Sequence, residues 1–210
     1  MKYELGYSII ANNLLKINDT IKKLNFIDFL HVDIMDGNFV PELTIGPKFV
    51  SDLIEIISDK KIDVHLMVTN PINYVNKLNS INSIIFHYES VDESKIFEII
   101  NLIKKNNVKC GISISPKTKV ELILPFIQYI DIVQIMTVEP GKCGQKLIPQ
   151  TLNKIETVRK LNTDITIQVD GGVNLNNISD ILNKGANSFI CGSSMLREGN
   201  LIKEKLVNTL

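Results

Sequence analysis

Along the 210 residues, short β-branched apolar runs alternate with longer segments in which apolar residues recur at i, i+3 and i+4. The runs predict strands at Gly6–Ile10, Phe29–Ile34, Ile62–Met67, Ser83–Phe86, Lys109–Ile114, Ile130–Met136, Ile165–Val169 and Ser188–Cys191. The helical periodicity covers Leu14–Leu24, Pro47–Ile57, Lys95–Lys105, Pro149–Lys160 and Asn177–Lys184. Pro47, Pro71 and Pro149 suit a first helical turn, and Asp92 suits a cap. The strand runs read as near-continuous apolar segments, the pattern of strands buried on both faces. Eight such strand–helix repeats predict an α/β chain closed into a (β/α)8 TIM barrel. An open doubly wound sheet would carry fewer strands and a switch point. The length lies near the lower end of the barrel range, about 200 to more than 400 residues, so insertions are few. The longest follows the second strand, Met35–Gly46. No linker or low-complexity tract divides the chain, and residues 1–210 are expected to form one catalytic barrel domain.

Composition narrows the function. Lys plus Arg and Asp plus Glu are both 23, a net charge of zero that argues against a nucleic-acid partner. Hydrophobic residues make up 44% and charged residues 22%, which excludes wholesale disorder. No apolar run approaches the roughly 20 residues of a membrane span, and the N-terminus does not read as a signal peptide. Cys110, Cys143 and Cys191 are odd in number and lack a CxxC spacing, against a disulfide framework. A soluble, cytoplasmic protein with no membrane partner is expected.

In a (β/α)8 barrel the active site forms at the C-terminal strand ends. All three histidines are expected there: His31 with Asp33 in HVDIMDG, His65 in DVHLMV and His87 in FHYES. Asp170 ends the seventh strand in QVDGG. His31 and Asp33, two apart on a strand, face the same way. With His65 and Asp170 they make two imidazoles and two carboxylates, a donor set suited to one divalent ion per subunit: Zn²⁺, Fe²⁺, Mn²⁺ or Co²⁺. His87 is read as a rim histidine or a group behind the ligands. Met35, Met67 and Met136 sit at or just past strand ends and suggest a polarizable apolar lining. Cys110 and Cys191 read as small buried hydrophobes, and Cys143 as an exposed thiol on a loop. Glycine-rich turns follow strands six, seven and eight: Pro140–Gly144, Asp170–Gly172 and Cys191–Ser194. Glycine lets backbone N–H groups approach an anion, so these turns suggest a phosphate cradle. Metal, paired carboxylates and a phosphate site together match proton transfer beside the carbonyl of a phosphorylated sugar.

The segments SIIAN, HVDIMDGNFVPELTIGP, DVHLMVTNP, HYES, GISISPKT, MTVEPGKCGQ, VDGGVN and GANSFICGSS resemble, in order, the signatures of the ribulose-phosphate 3-epimerase family, from Ser8 to about Leu196. The resemblance implies a barrel of the ribulose-phosphate-binding type and a metal-dependent isomerase of the pentose phosphate pathway. Such an enzyme would interconvert D-ribulose 5-phosphate and D-xylulose 5-phosphate. It implies a metal on His31, Asp33, His65 and Asp170, with Asp33 and Asp170 as the acid–base pair. Substrate contacts would fall on Ser8, His65, Gly141, Lys142, Cys143, Gly144, Asp170, Gly171, Gly172, Gly192 and Ser193. A homo-oligomer, dimer or hexamer, is implied as well. The chain departs from the family pattern at Lys142 and Cys143, where PGFGGQ is usual. It departs again at Glu42, where Asn is common, and in IIANNL, where LSADF is more frequent. Lys142 is open to two readings, surface charge or a partner of the substrate phosphate. The rivals are an epimerase of a six-carbon ketose phosphate such as D-allulose 6-phosphate, and an inactive phosphosugar-binding barrel. The decarboxylase group with Asp-x-Lys-x-x-Asp is disfavoured, because Asp33-Ile-Met-Asp36 lacks the lysine.

Overall fold

The computed structural model describes residues 3–57 and 59–209. Eight strands pair in parallel with their sequence neighbours, and the last pairs back onto the first to close a barrel. They are β1 (Glu4–Ser8), β2 (Phe29–Met35), β3 (Lys61–Met67), β4 (Ser83–His87), β5 (Lys109–Ile114), β6 (Ile132–Met136), β7 (Thr166–Asp170) and β8 (Ser188–Cys191). The helices are α1 (Ile17–Lys23), α2 (Pro47–Ile56), α3 (Ile72–Val75), α4 (Ile96–Lys105), α5 (Leu152–Leu161), α6 (Ile178–Asn183) and α7 (Ser193–Thr209). Helix α4 shows why these segments dock: Ile96, Ile99, Ile100 and Ile103 form one buried stripe, and Lys104 and Lys105 oppose the dipole at its C-terminal end.

Several boundaries move. β1 ends at Ser8, its last pairing position opposite His31, and Ile9–Ala11 form a 3-10 turn at the rim where Ile10 was expected in strand. β6 begins at Ile132 and β7 at Thr166, each later than the apolar run begins. Leu14–Leu24 splits into a 3-10 turn, Leu14–Lys16, followed by α1. Asp92 caps a 3-10 turn ahead of α4 by accepting the Ser94 N–H at 3.0 Å. Between β5 and β6 a 3-10 segment, Val120–Phe126, replaces a helix; Pro125 inside it cannot donate to an α-helical ladder. Helix α7 is broken at Glu198 (φ −143°, ψ 21°), whose carboxylate accepts the Leu175 N–H at 3.2 Å.

The strands are buried on both faces, as their runs predict, but the two faces differ in kind. In β2, Leu30, Val32 and Ile34 join the apolar shell between sheet and helices, together with Ile62, Val64 and Leu66 of β3. The residues between them, among them His31, Asp33, Asp63 and His65, face the lumen, since successive side chains point to opposite faces. The lumen is polar: Gln168 donates to Asp63 and to Ser188 Oγ, both at 3.2 Å, and Asn82 donates to Asp63 at 2.6 Å. His31 lies in the middle of β2 rather than at its end, and reaches the site from below.

Candidate active site

At the C-terminal mouth, β2, β3 and β7 bring His31, Asp33, His65 and Asp170 together, with one ligand atom of each within 4.8 Å of all the others. Asp33 Oδ1 lies 3.0 Å from His65 Nδ1 and 3.4 Å from His31 Nε2. Asp170 Oδ2 lies 3.6 Å from His65 Nδ1 and 3.7 Å from His31 Nε2. His31 is fully buried, yet neither of its ring nitrogens has a hydrogen-bond partner. A buried His31 Nε2 near two carboxylates without bonding either fits a cation between the four groups, so the donor set fits a divalent ion.

The electrostatics are steep. Burial would lower the His31 imidazole, but Asp33, Asp170 and Asp63 outweigh it and raise it to about 9. Burial lowers His65 to about 4, the Asp33 carboxylate opposing and the neighbouring imidazoles adding to the drop. The two carboxyls move apart. Burial raises Asp33, but the two imidazoles overcome it and hold the group well below the usual carboxylate range. Burial, with the Asp33 charge beside it, pushes Asp170 up to about 7 against the pull of His31.

Above the cluster a cavity is lined by Ser8, Asp33, Met35, Met67, Met136, Gly141, Lys142, Cys143, Gly144, Asp170, Gly171, Gly172, Gly192 and Ser193, and also by Arg197. Ser8 Oγ donates to Asp33 Oδ2 at 2.9 Å. Met35 and Met67 pack with Val40 of the β2 loop. His65 does not line the cavity; it is fully buried beneath the floor, below where its expected substrate contact would place it. Gly171 (φ +115°) and Gly172 (φ +68°) need their glycines twice over. A Cβ would sit 2.4 Å from the Val138 side chain at the first and 2.5 Å from the Leu147 backbone nitrogen at the second. Cys143 is not at positive φ, so the cysteine there carries no left-handed strain. Desolvation at the rim and the Asp33 and Asp170 charges push its thiol up to about 11. Lys142 lies 3.9 Å from Glu42, so two of the departures noted in the sequence pair with each other across the β2 and β6 loops.

The β2 loop is pinned by Asp36. Its Oδ1 accepts the Asn38 and Phe39 N–H groups, and its Oδ2 accepts the Thr69 N–H and hydroxyl, each at 2.9 Å. Three neighbours of the cluster escaped the sequence reading or were left open by it, Gln134 and His87 buried and Glu89 at the exposed rim. Gln134 Nε2 lies 3.2 Å from both His65 nitrogens and 3.4 Å from Asp170. His87 Nε2 lies 2.9 Å from His65 Nε2, and His87 Nδ1 lies 2.9 Å from Glu89. A lone glutamine in the run IVQIM, and a glutamate two residues after a strand-end histidine, were the signals available.

A parallel barrel with paired imidazoles and carboxylates at its mouth, beside glycine-rich turns, defines a barrel enzyme with a metal-competent site. Residues 4–196 match the ribulose-phosphate 3 epimerase family, and the chain belongs to that family, as an epimerase of the isomerase class. It is 39% identical over 172 residues to the ribulose-phosphate 3-epimerase of Schizosaccharomyces pombe, covering 80% of this chain and 75% of that protein. It is 35% identical over 215 residues to that of Buchnera aphidicola subsp. Acyrthosiphon pisum, covering 98% and 93%. A cytoplasmic isoform from Oryza sativa is 39% identical over 173 residues, covering 80% and 75%. Among solved structures, the Mycobacterium tuberculosis tryptophan synthase matches with a TM-score of 0.69 at 13% identity, covering 99% of this chain and 90% of that one. A Pyrococcus furiosus tryptophan synthase α-subunit matches with a TM-score of 0.66 at 14%, covering 100% and 97%. At such identities the likeness is one of fold.

Proposed function

We propose that residues 1–210 act as one catalytic barrel that epimerises D-ribulose 5-phosphate and D-xylulose 5-phosphate at C3, a step of the pentose phosphate pathway. The observation that carries this reading is the placement of Asp33 and Asp170, from β2 and β7, in one cluster with two imidazoles at the floor of the cavity. Inversion at carbon needs one group to take a proton from one face and another to return one to the opposite face. The two carboxyls suit that division because their surroundings push them apart, Asp33 towards the ionised form and Asp170 towards the protonated one. For ribulose 5-phosphate, Asp33 takes the C3 proton to give a cis-enediolate, and Asp170 delivers a proton to the other face; the roles reverse for xylulose 5-phosphate. Ser8, donating to Asp33 Oδ2, orients the base. The backbone at Gly171, Gly172, Gly192 and Ser193 holds the phosphate. Met35, Met67 and Met136 exclude water from the reacting carbon. A divalent ion, Zn²⁺, Fe²⁺, Mn²⁺ or Co²⁺, held by His31, Asp33, His65 and Asp170 would supply Lewis-acid stabilisation of the charge that develops on the sugar oxygens. The cytoplasmic isoform among the relatives supports a cytoplasmic location. Leu15 and Leu43, 95% and 77% exposed on neighbouring rim loops, are apolar surface that a homo-oligomer, dimer or hexamer, would cover.

A coupled assay of ribulose 5-phosphate epimerisation, before and after chelation and re-addition of each ion, tests the reading. Activity that vanishes with the chelator and returns with metal is expected. A metal-loaded protein that leaves the pentose phosphate untouched and turns over a six-carbon ketose phosphate would overturn the substrate. Turnover of neither would overturn catalysis.

A further inference from the structure

Two buried imidazoles bridge two carboxylates in a line: Asp33 Oδ1 to His65 Nδ1 at 3.0 Å, His65 Nε2 to His87 Nε2 at 2.9 Å, and His87 Nδ1 to Glu89 Oε2 at 2.9 Å. Each contact needs one proton to be a hydrogen bond. Two neutral imidazoles carry one ring proton apiece, so three contacts share two protons and one contact must go without. Which one goes without is decided at the far end. Glu89 Oε1 accepts the Ser115 N–H at 2.8 Å and the Thr118 hydroxyl, which hold this group as a carboxylate that can only accept. That segment is itself fixed, because Lys154 Nζ donates to the Ser115 and Thr118 carbonyls at 2.8 and 2.6 Å. His87 Nδ1 must therefore donate to Glu89, its Nε2 must accept, and His65 Nε2 must donate. His65 Nδ1 is left with its lone pair facing Asp33. The missing proton falls at the contact where a cation would sit.

We infer that Glu89, acting through His87, is a positioning residue that sets the His65 tautomer and keeps its Nδ1 as a metal-ligating atom. The inference rests on the metal reading above and goes beyond it to two side chains that touch neither metal nor substrate. The surroundings leave His87 little room to turn: its ring lies 4.8 Å from that of Phe39 and 4.9 Å from that of His65. Ser115 Oγ is 3.5 Å from His87 Nδ1, and Gln134 Nε2, a donor, lies 3.2 Å from both His65 nitrogens. Outer partners of metal-bound histidines are worth about 10- to 100-fold in metal affinity.

The test compares wild type with Glu89→Gln, whose amide can donate or accept and so releases the polarity, and His87→Phe, which breaks the line. It adds His87→Gln, which keeps an acceptor beside a donor. Zn²⁺ and Co²⁺ dissociation constants come from competition with a chromophoric chelator. Proton–nitrogen correlation spectra of the metal-free proteins at mildly alkaline pH show which imidazole nitrogen carries the proton. Wild type is expected to bind metal with His65 Nδ1 unprotonated before metal is added. Glu89→Gln and His87→Phe are expected to bind about 10-fold or more weakly. A protonated Nδ1 population is expected in Glu89→Gln, and His87→Gln should recover most of the affinity. Wild type that binds neither ion would overturn the metal reading and this inference with it. Variants that bind as tightly as wild type would overturn the inference alone. So would weaker binding with the His65 tautomer unchanged, since the pair would then be merely structural.

Discussion

The same strands build two regions of opposite character. Outside the sheet, Leu30, Val32, Val64, Leu66, Ile84 and Ile112 meet the helices in a continuous apolar shell. Inside it, Asp63, His65, His87, Gln134 and Gln168 are buried like the leucines, and they satisfy one another only in part: Gln134 Oε1, Gln168 Oε1 and both His31 nitrogens have no partner. The shell draws its stability from area removed from water, roughly 25 cal/mol per Å². The lumen gains little by that route, because buried polar groups cost free energy unless every bond is made. The outer face of each strand thus holds the fold, and the inner face spends part of that stability on a buried polar cluster that could hold a cation.

Substitutions on the two faces should separate stability from chemistry. The largest effect is expected inside: Asp33→Asn and Asp170→Asn should each lower turnover by about 100- to 10,000-fold, the range of a lost acid–base group. Their melting temperatures should stay close to wild type; near-normal turnover in either variant would remove that residue from proton transfer. The mirror experiment is outside. Leu66→Ala, from a fully buried side chain of the shell, should cost about 2–5 kcal/mol in denaturant unfolding. The surviving folded fraction should keep wild-type KM; a changed KM would show that the shell reaches into the site.

A smaller effect lies at the boundary between the regions. Burial is the largest single influence on Asp36 and raises it, but the N–H groups of Thr69, Phe39 and Asn38 and the Thr69 hydroxyl together more than offset it and bring it from 3.8 to about 2. Its folded value is below its unfolded one, so its support of the β2 loop is full above pH 4 and is lost as pH falls through about 2. Amide exchange at Phe39 and Thr69 should accelerate over that window in wild type, and at neutral pH in Asp36→Ala. Equal exchange in the two proteins at neutral pH would mean that Asp36 does not pin the loop. The smallest effect is expected at Lys142→Phe. Its pairing with Glu42 is exposed at both ends, 70% and 48%, and an exposed pair is worth about 0–1 kcal/mol. KM should shift while bound metal, read by atomic absorption, does not; metal loss would place Lys142 closer to the ligands than the loop geometry does.

Much of this was legible in the chain. Eight apolar runs at regular spacing specified the barrel, and the barrel says where a site must be, which is why His31, Asp33, His65 and Asp170 stood out. The alternation was hidden because Phe29 and Met35 continue the apolar run of β2 on the luminal side, masking the His31–Asp33 break between them. Glu89 and Gln134 were not read as site residues, since their meaning depends on inter-strand register. His87 sits opposite Ser113 and Ser113 opposite Gln134, pairings that no local pattern encodes. The 3-10 segment after β5 went unread for a similar reason: VELILPF has helical periodicity until Pro125.

Closure of the ring joins the two ends of the chain. β1 pairs with β8, so Gly6 finds Ile190, and Tyr7 finds Cys191, only when nearly the whole polypeptide exists. During synthesis the outer edge of β1 must wait for the last strand, exposed to any passing chain that could add to it. The same closure delivers Gly192 and Ser193 to the mouth, beside the carboxylates of β2 and β7. The topology thus ties completion of the mouth to the last strand of the chain.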